Sequence, residues 1–287
     1  GRWLVESLEI RYLSSGRDLM RLAQRDASPR SAPVVVGSPD FSASPASATA
    51  SAGTGTRSTE MSSLVFTPLP GTADEVQSIG KQLDHAEVIV GRDALESRLK
   101  KVSGPVLLHI ATHGFFLSDT DTGPDGTRGV SYKQGTGFEL DATPAPHAEN
   151  PLVRSGLALS GANLRSSHDG EDGILTALEV AGLDLVGTQL VVLSACETGV
   201  GEVRNGEGVY GLRRALVIAG ARSQLMSLWQ VDDEATRDLM VDVYRRLGRK
   251  KGPAEALRET QLRFLRRKAT AHPFYWAAFI PSGDWEA

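Results

Sequence analysis

The chain has little of several things, and each scarcity excludes a class of protein. It contains a single cysteine, Cys196. One thiol rules out an internal disulfide framework and a cysteine-based zinc or iron–sulfur site. Long apolar runs are also missing. The longest candidates, Leu190 to Leu193 and Leu216 to Ala219, are the size of core elements, far short of the roughly 20 residues that cross a bilayer as a helix. There is no excess of basic charge: the net charge is -4. Neither a basic run interleaved with aromatics nor a zinc-finger spacing occurs, so direct binding of nucleic acid is not expected. The glycines at 199, 201, 206 and 208 are not followed by Lys-Ser/Thr, which sets aside a phosphate-binding loop and nucleotide hydrolysis. No cofactor, metal or membrane partner is expected. The chain begins Gly1-Arg2 with no signal-peptide pattern after it, and reads as an excised or processed piece of a longer chain, or as a tagged chain; a cytoplasmic location is expected.

What is present is ordinary globular composition, 40% hydrophobic and 23% charged over 287 residues, enough to bury a full core. Residues 3 to 13 alternate loosely and suggest a strand; residues 17 to 25 suggest a helix. Strands are expected at 34–37, 87–90, 106–111, near 156–159, at 189–194 and at 223–228. Helices are expected to about 83 from a capping-box pair, Thr72 and Glu75, then at 94–101, 176–181, 209–219, 233–247 and 253–265. Strands alternating with helices predict an α/β fold with a mostly parallel sheet covered on both faces. Two stretches read as loops: 42–63, almost entirely Ser, Ala, Thr and Gly, and 118–150. Residues 1–29 read as an N-terminal segment or the remnant of an upstream region, and 30–287 as the main domain.

In open parallel sheets, ligands bind beyond the carboxyl ends of the strands. Two segments end there: VLLHIATHG, which carries His113, and LVVLSACETG, which carries Cys196. A lone cysteine is either a small buried hydrophobe or a nucleophile, and His113 either a capping residue or a base. If the strands are neighbours, the imidazole can take the thiol proton and later deliver it to a leaving amine. Backbone amides at Gly114 and Cys196 suit a developing oxyanion. No Asp or Asn is obviously placed to orient the ring.

HIATHG at 109–114 and LSACETG at 193–199 resemble the paired signatures of CHAT domains, a prokaryotic branch of the caspase–separase peptidases. VVVGSPDF (34–41), LPGTADEV (69–76), SGLALSGAN (155–163), DGILTALEV (172–180), GEGVYGLRRALVIAGAR (206–222), SLWQVDDEAT (227–236) and HPFYWAAFI (272–280) follow in the family's order. The resemblance implies a caspase-like three-layer sandwich and a His113–Cys196 dyad with Gly114 and Cys196 as the oxyanion hole. It also implies a cysteine endopeptidase that acts on a protein substrate through a thioester. Relatives carry a sensor module or answer to a regulatory partner, and several act in bacterial defence, CRISPR-associated systems included. The alternative is a scaffold that keeps the fold without activity.

His109 and His113 are four residues apart on one strand, roughly 13 Å, so they cannot share an ion and His109 reads as a core residue. Asp233 is at the position of the separase aspartate that receives a basic substrate residue. Asp232 or Asp233 is equally suited to cap the helix that follows. Glu207 lies in a glycine-rich turn, where it lines the cleft or meets solvent. Arg57, Arg128 and Lys133 in the two loops are candidate self-cleavage points if basic residues are preferred.

Overall fold

The structure is a computed structural model that describes residues 2–23, 28–44, 64–117, 131–133, 137–139, 150–167, 169–197, 207–229, 232–249 and 251–284. Its centre is an eight-stranded mixed sheet. Chain order gives β1 (Val34–Pro39), β2 (Glu87–Gly91), β3 (Leu107–Phe116), β6 (Ser155–Ala158), β7 (Ile174–Thr176), β8 (Leu190–Glu197), β9 (Ser223–Ser227) and β10 (Phe279–Gly283). The spatial order is β10-β9-β8-β3-β1-β2, with β6 and β7 added along the far end of β3. Neighbours from β2 to β9 along this path run parallel, and β10 and β6 are antiparallel.

Side chains alternate across each strand, so the same strands feed two cores. Leu108, Ile110, Val191 and Leu193 pack beneath α4 (Glu96–Lys100), α5 (Ala177–Val180) and α6 (Glu207–Ala219). Val35, Ala111, Val192 and Leu225 pack beneath α3 (Pro70–Gly80), α7 (Asp233–Leu247) and α8 (Pro253–Leu265). The result is a caspase-like three-layer sandwich. A third cluster, with Phe41, Phe66, Phe115 and Ile174, closes the carboxyl end of β1 and β3. Gly37 lets α3 approach β1: a Cβ there would stand 2.5 Å from Val76 Cγ1.

Several expectations need correction. Residues 3–13 do not form a strand. They hold a short helix, α1 (Leu4–Ser7), and one bridge from Tyr12 to Ser282. The Arg258 guanidinium takes the carbonyls of Val5, Glu6 and Leu8 at 2.8, 3.0 and 3.1 Å, acceptors that a strand partner would have used. The expected helix from residue 17 is α2 (Arg17–Leu22). The capping box at Thr72 does not form. Pro70 starts α3 one turn earlier, and the Thr72 hydroxyl instead donates to the Leu69 carbonyl (2.7 Å) and accepts from the Ser38 amide (3.1 Å).

Strands β3 and β8 run on past Ala111 and Ser194, because β8 pairs with β3 as far as Gly114↔Glu197 and β6 takes over the edge that β1 leaves. His113 and Cys196 are therefore the last part of the strands, not the turns after them. Within the expected second loop, β4 (Ser131–Lys133) pairs with β5 (Gly137–Glu139), which puts Lys133 in a strand. Arg57, Arg128 and the 199–206 glycines lie outside the described residues.

Candidate active site

His113 and Cys196 are register partners on adjacent parallel strands, so their backbones run about 4.8 Å apart. His113 is 3% exposed. Its ring packs at a tilt against both Phe41 and Phe66, with centroids 5.2 and 5.8 Å away. Nε2 lies 2.7 Å from the Thr67 carbonyl. A carbonyl only accepts, so Nε2 carries the hydrogen and, in the neutral ring, Nδ1 carries the lone pair. Nδ1 is buried with no hydrogen-bond partner among the described residues. Burial pushes the His113 pKa down; the Thr67 carbonyl and the charge of Asp233 act the other way and do not offset it.

The group that orients the ring is thus a main-chain carbonyl, which no side-chain motif signals. Asn163 fixes it at one remove. Its amide oxygen accepts from the Phe66 amide at 2.8 Å, and its nitrogen donates to the Phe66 carbonyl at 2.9 Å. This pair of bonds holds the segment that delivers Thr67.

The other candidate residues divide. Gly114 sits in the sheet between Glu197 of β8 and Leu157 of β6. Cys196 lies on β8, and Glu207 is the first residue of α6 rather than part of the turn. Asp232 is the N-cap of α7: its carboxylate accepts from the Ala235 amide at 2.9 Å. That leaves Asp233 free of the capping role. Its carboxyl is pushed up, chiefly by burial and then by the charges of Asp232 and Glu75, with His113 opposing.

His109 is a core residue, fully buried. Its Nδ1 is 3.0 Å from the Tyr244 hydroxyl and its Nε2 is 3.2 Å from Glu75 Oε1. Neither atom of the latter contact has a hydrogen bond among the described residues. Burial and the Glu75 charge hold the Tyr244 phenol well above its usual pKa. The Thr72–Glu75 spacing predicts a capping role for Glu75. The fold instead turns it toward the sheet beneath Asp233.

A helix-covered parallel sheet that sets a histidine and a cysteine side by side at the carboxyl ends of its central strands defines a caspase-like, protease-related domain. The CHAT domain family matches residues 1–284, and the chain belongs to that family. It is 28% identical over 221 residues to Tetratricopeptide repeat protein 28 of Homo sapiens, an alignment covering 76% of this chain and 8% of that protein. It is 32% identical over 111 residues to Tetratricopeptide repeat protein 28 of Mus musculus, covering 39% of this chain and 4% of the relative. The chain spans less than a tenth of the length of either relative.

Proposed function

We propose that the domain is a cysteine endopeptidase in which His113 is the base and Cys196 the nucleophile. The observation that carries this reading is the state of the imidazole: Nε2 is tied to the Thr67 carbonyl and Nδ1 has no hydrogen-bond partner among the described residues, on the strand beside Cys196. In the proposed reaction Nδ1 accepts the thiol proton as sulfur attacks the peptide carbonyl. The amides of Gly114 and Cys196 hold the oxyanion. The C–N bond breaks, the imidazolium gives its proton to the leaving amine, and a thioester remains. Water, deprotonated by His113, attacks that thioester; the acid departs and the thiol is restored.

Asp233, near His113 and released from capping by Asp232, is proposed to receive an Arg or Lys side chain through a charge-assisted contact. The relatives' name speaks of tetratricopeptide repeats, which supports a helical-repeat module or regulatory partner acting on this domain. A defence role has no such support: the expectation rests on the family resemblance alone.

The test is cleavage of a peptide panel by the wild type, Cys196→Ala and His113→Asn. Loss of cleavage on the order of 10³-fold or more in both variants supports the dyad. Equal cleavage by all three proteins, or none by any, favours the scaffold reading.

A further inference from the structure

A small pocket of about 10 Å³ lies between the start of α3, the start of α7 and the ends of β3 and β8. Its polar walls are Thr72, Glu75, Thr112, Ser194, Asp233 and Thr236. Three buried oxygens there, Glu75 Oε1, Ser194 Oγ and Thr236 Oγ1, have no hydrogen bond among the described residues. Glu75 is 1% exposed, Ser194 4% and Thr236 6%. Among the described residues, no Lys or Arg lines the cavity.

Buried polar oxygens without hydrogen bonds are costly, and two carboxylates facing one space repel each other. A group that brings several donors and a positive charge relieves both penalties at once. The volume is that of roughly one water-sized sphere, which suits the leading nitrogen of a cationic side chain. The location is equally specific. Ser194 is two residues before Cys196 on β8, and Thr112 precedes His113 on β3. The pocket therefore adjoins the strand ends that carry the two residues.

We infer that Glu75 is a specificity-determining residue, the buried floor of a two-carboxylate pocket that takes the cationic head of the residue preceding the cleaved bond. This rests on the peptidase reading and adds to Asp233 a second, deeper acceptor. Helix α3 brings Glu75 in, with its Oε1 3.2 Å from His109 Nε2, and the Tyr244 hydroxyl lies 3.0 Å from the other nitrogen of that ring.

The experiment compares wild type, Glu75→Gln and Glu75→Asp on peptides that differ only in Arg, Lys or citrulline before the bond. The expected result is a drop of at least tenfold in the Arg-over-citrulline ratio of kcat/KM for Glu75→Gln, with the charge-retaining Glu75→Asp keeping more of it. An unchanged ratio, with activity lowered on all peptides alike, means a structural role and overturns the inference. If no peptide is cut in a Cys196-dependent way, the peptidase reading fails separately. The pocket is then read by calorimetry with agmatine: binding to the wild type that Glu75→Gln loses supports it, and absent or equal binding overturns it. Should Glu75→Gln not fold, Thr236→Lys places a tethered ammonium in the cavity. It should abolish the Arg-over-citrulline preference or agmatine binding, and retention of either result overturns the assignment.

Discussion

The His113 ring packs against two aromatic rings and one carbonyl; the burial limits its protonation, and the carbonyl opposes that limit without offsetting it. Burial favours the neutral ring, so its pKa lies below the usual 6.5. The acid limb of kcat/KM is therefore expected below pH 6.5, where an unshifted histidine base would already be half protonated. Stability follows the same sign. The unfolded ring binds its proton first as pH falls, so the contribution is whole above 6.5 and declines below it; His113→Asn should flatten that decline in thermal melts. A neighbouring pair of aspartates divides two roles. Asp232→Ala removes an N-cap and should cost about 1 kcal/mol of stability, measured by denaturant unfolding, with substrate preference intact. Asp233→Asn should do the reverse. At this scale His113 and Cys196 were legible because strand-end position and motif coincide. Thr67 was not, because a carbonyl belongs to every residue and only the fold decides which one meets the ring. Glu75 was misread for a related reason: Thr-x-x-Glu has the spacing of a capping box, but Pro70 moves the helix start and turns the glutamate inward.

Elements bring these residues onto neighbouring strands and helices, and their closeness depends on small residues. Gly37 admits α3 onto β1, where a Cβ would also stand 3.2 Å from the Ala111 Cβ. Gly37→Val should destabilise by about 1–3 kcal/mol through overpacking, seen as a lower urea midpoint at unchanged slope. Asn163 ties the 64–69 segment to the turn after β6 through two bonds to Phe66. Asn163→Ala should lower kcat about tenfold with KM nearly unchanged, since the Thr67 carbonyl loses its support while the cation pocket does not; a KM effect alone would count against this role. Most elements were readable from periodicity, and α7 and α8 begin and end where the pattern placed them. The failures share a cause. Residues 3–13 gave up strand pairing to the Arg258 guanidinium, and β3 and β8 lengthened because β6 offered a new edge. Each outcome depends on a partner far away in sequence.

On the scale of the molecule, one sheet with two helical layers places a histidine and a cysteine at its centre, and the whole described chain supports that juxtaposition. The fold class was legible because alternating strands and helices have few ways to pack, and the ordered motifs matched one family from end to end. The closing strand β10 was not foreseen as a strand; its antiparallel pairing with β9 comes from the chain turning back after α8. The central claim is proteolysis by Cys196 with His113, directed to basic residues. Its most direct test is mass-spectrometric mapping of new N-termini in a protein mixture treated with wild type or with Cys196→Ala. The account predicts new N-termini that follow Arg or Lys and arise with the wild type alone; the same N-termini in both samples, or none in either, would contradict it.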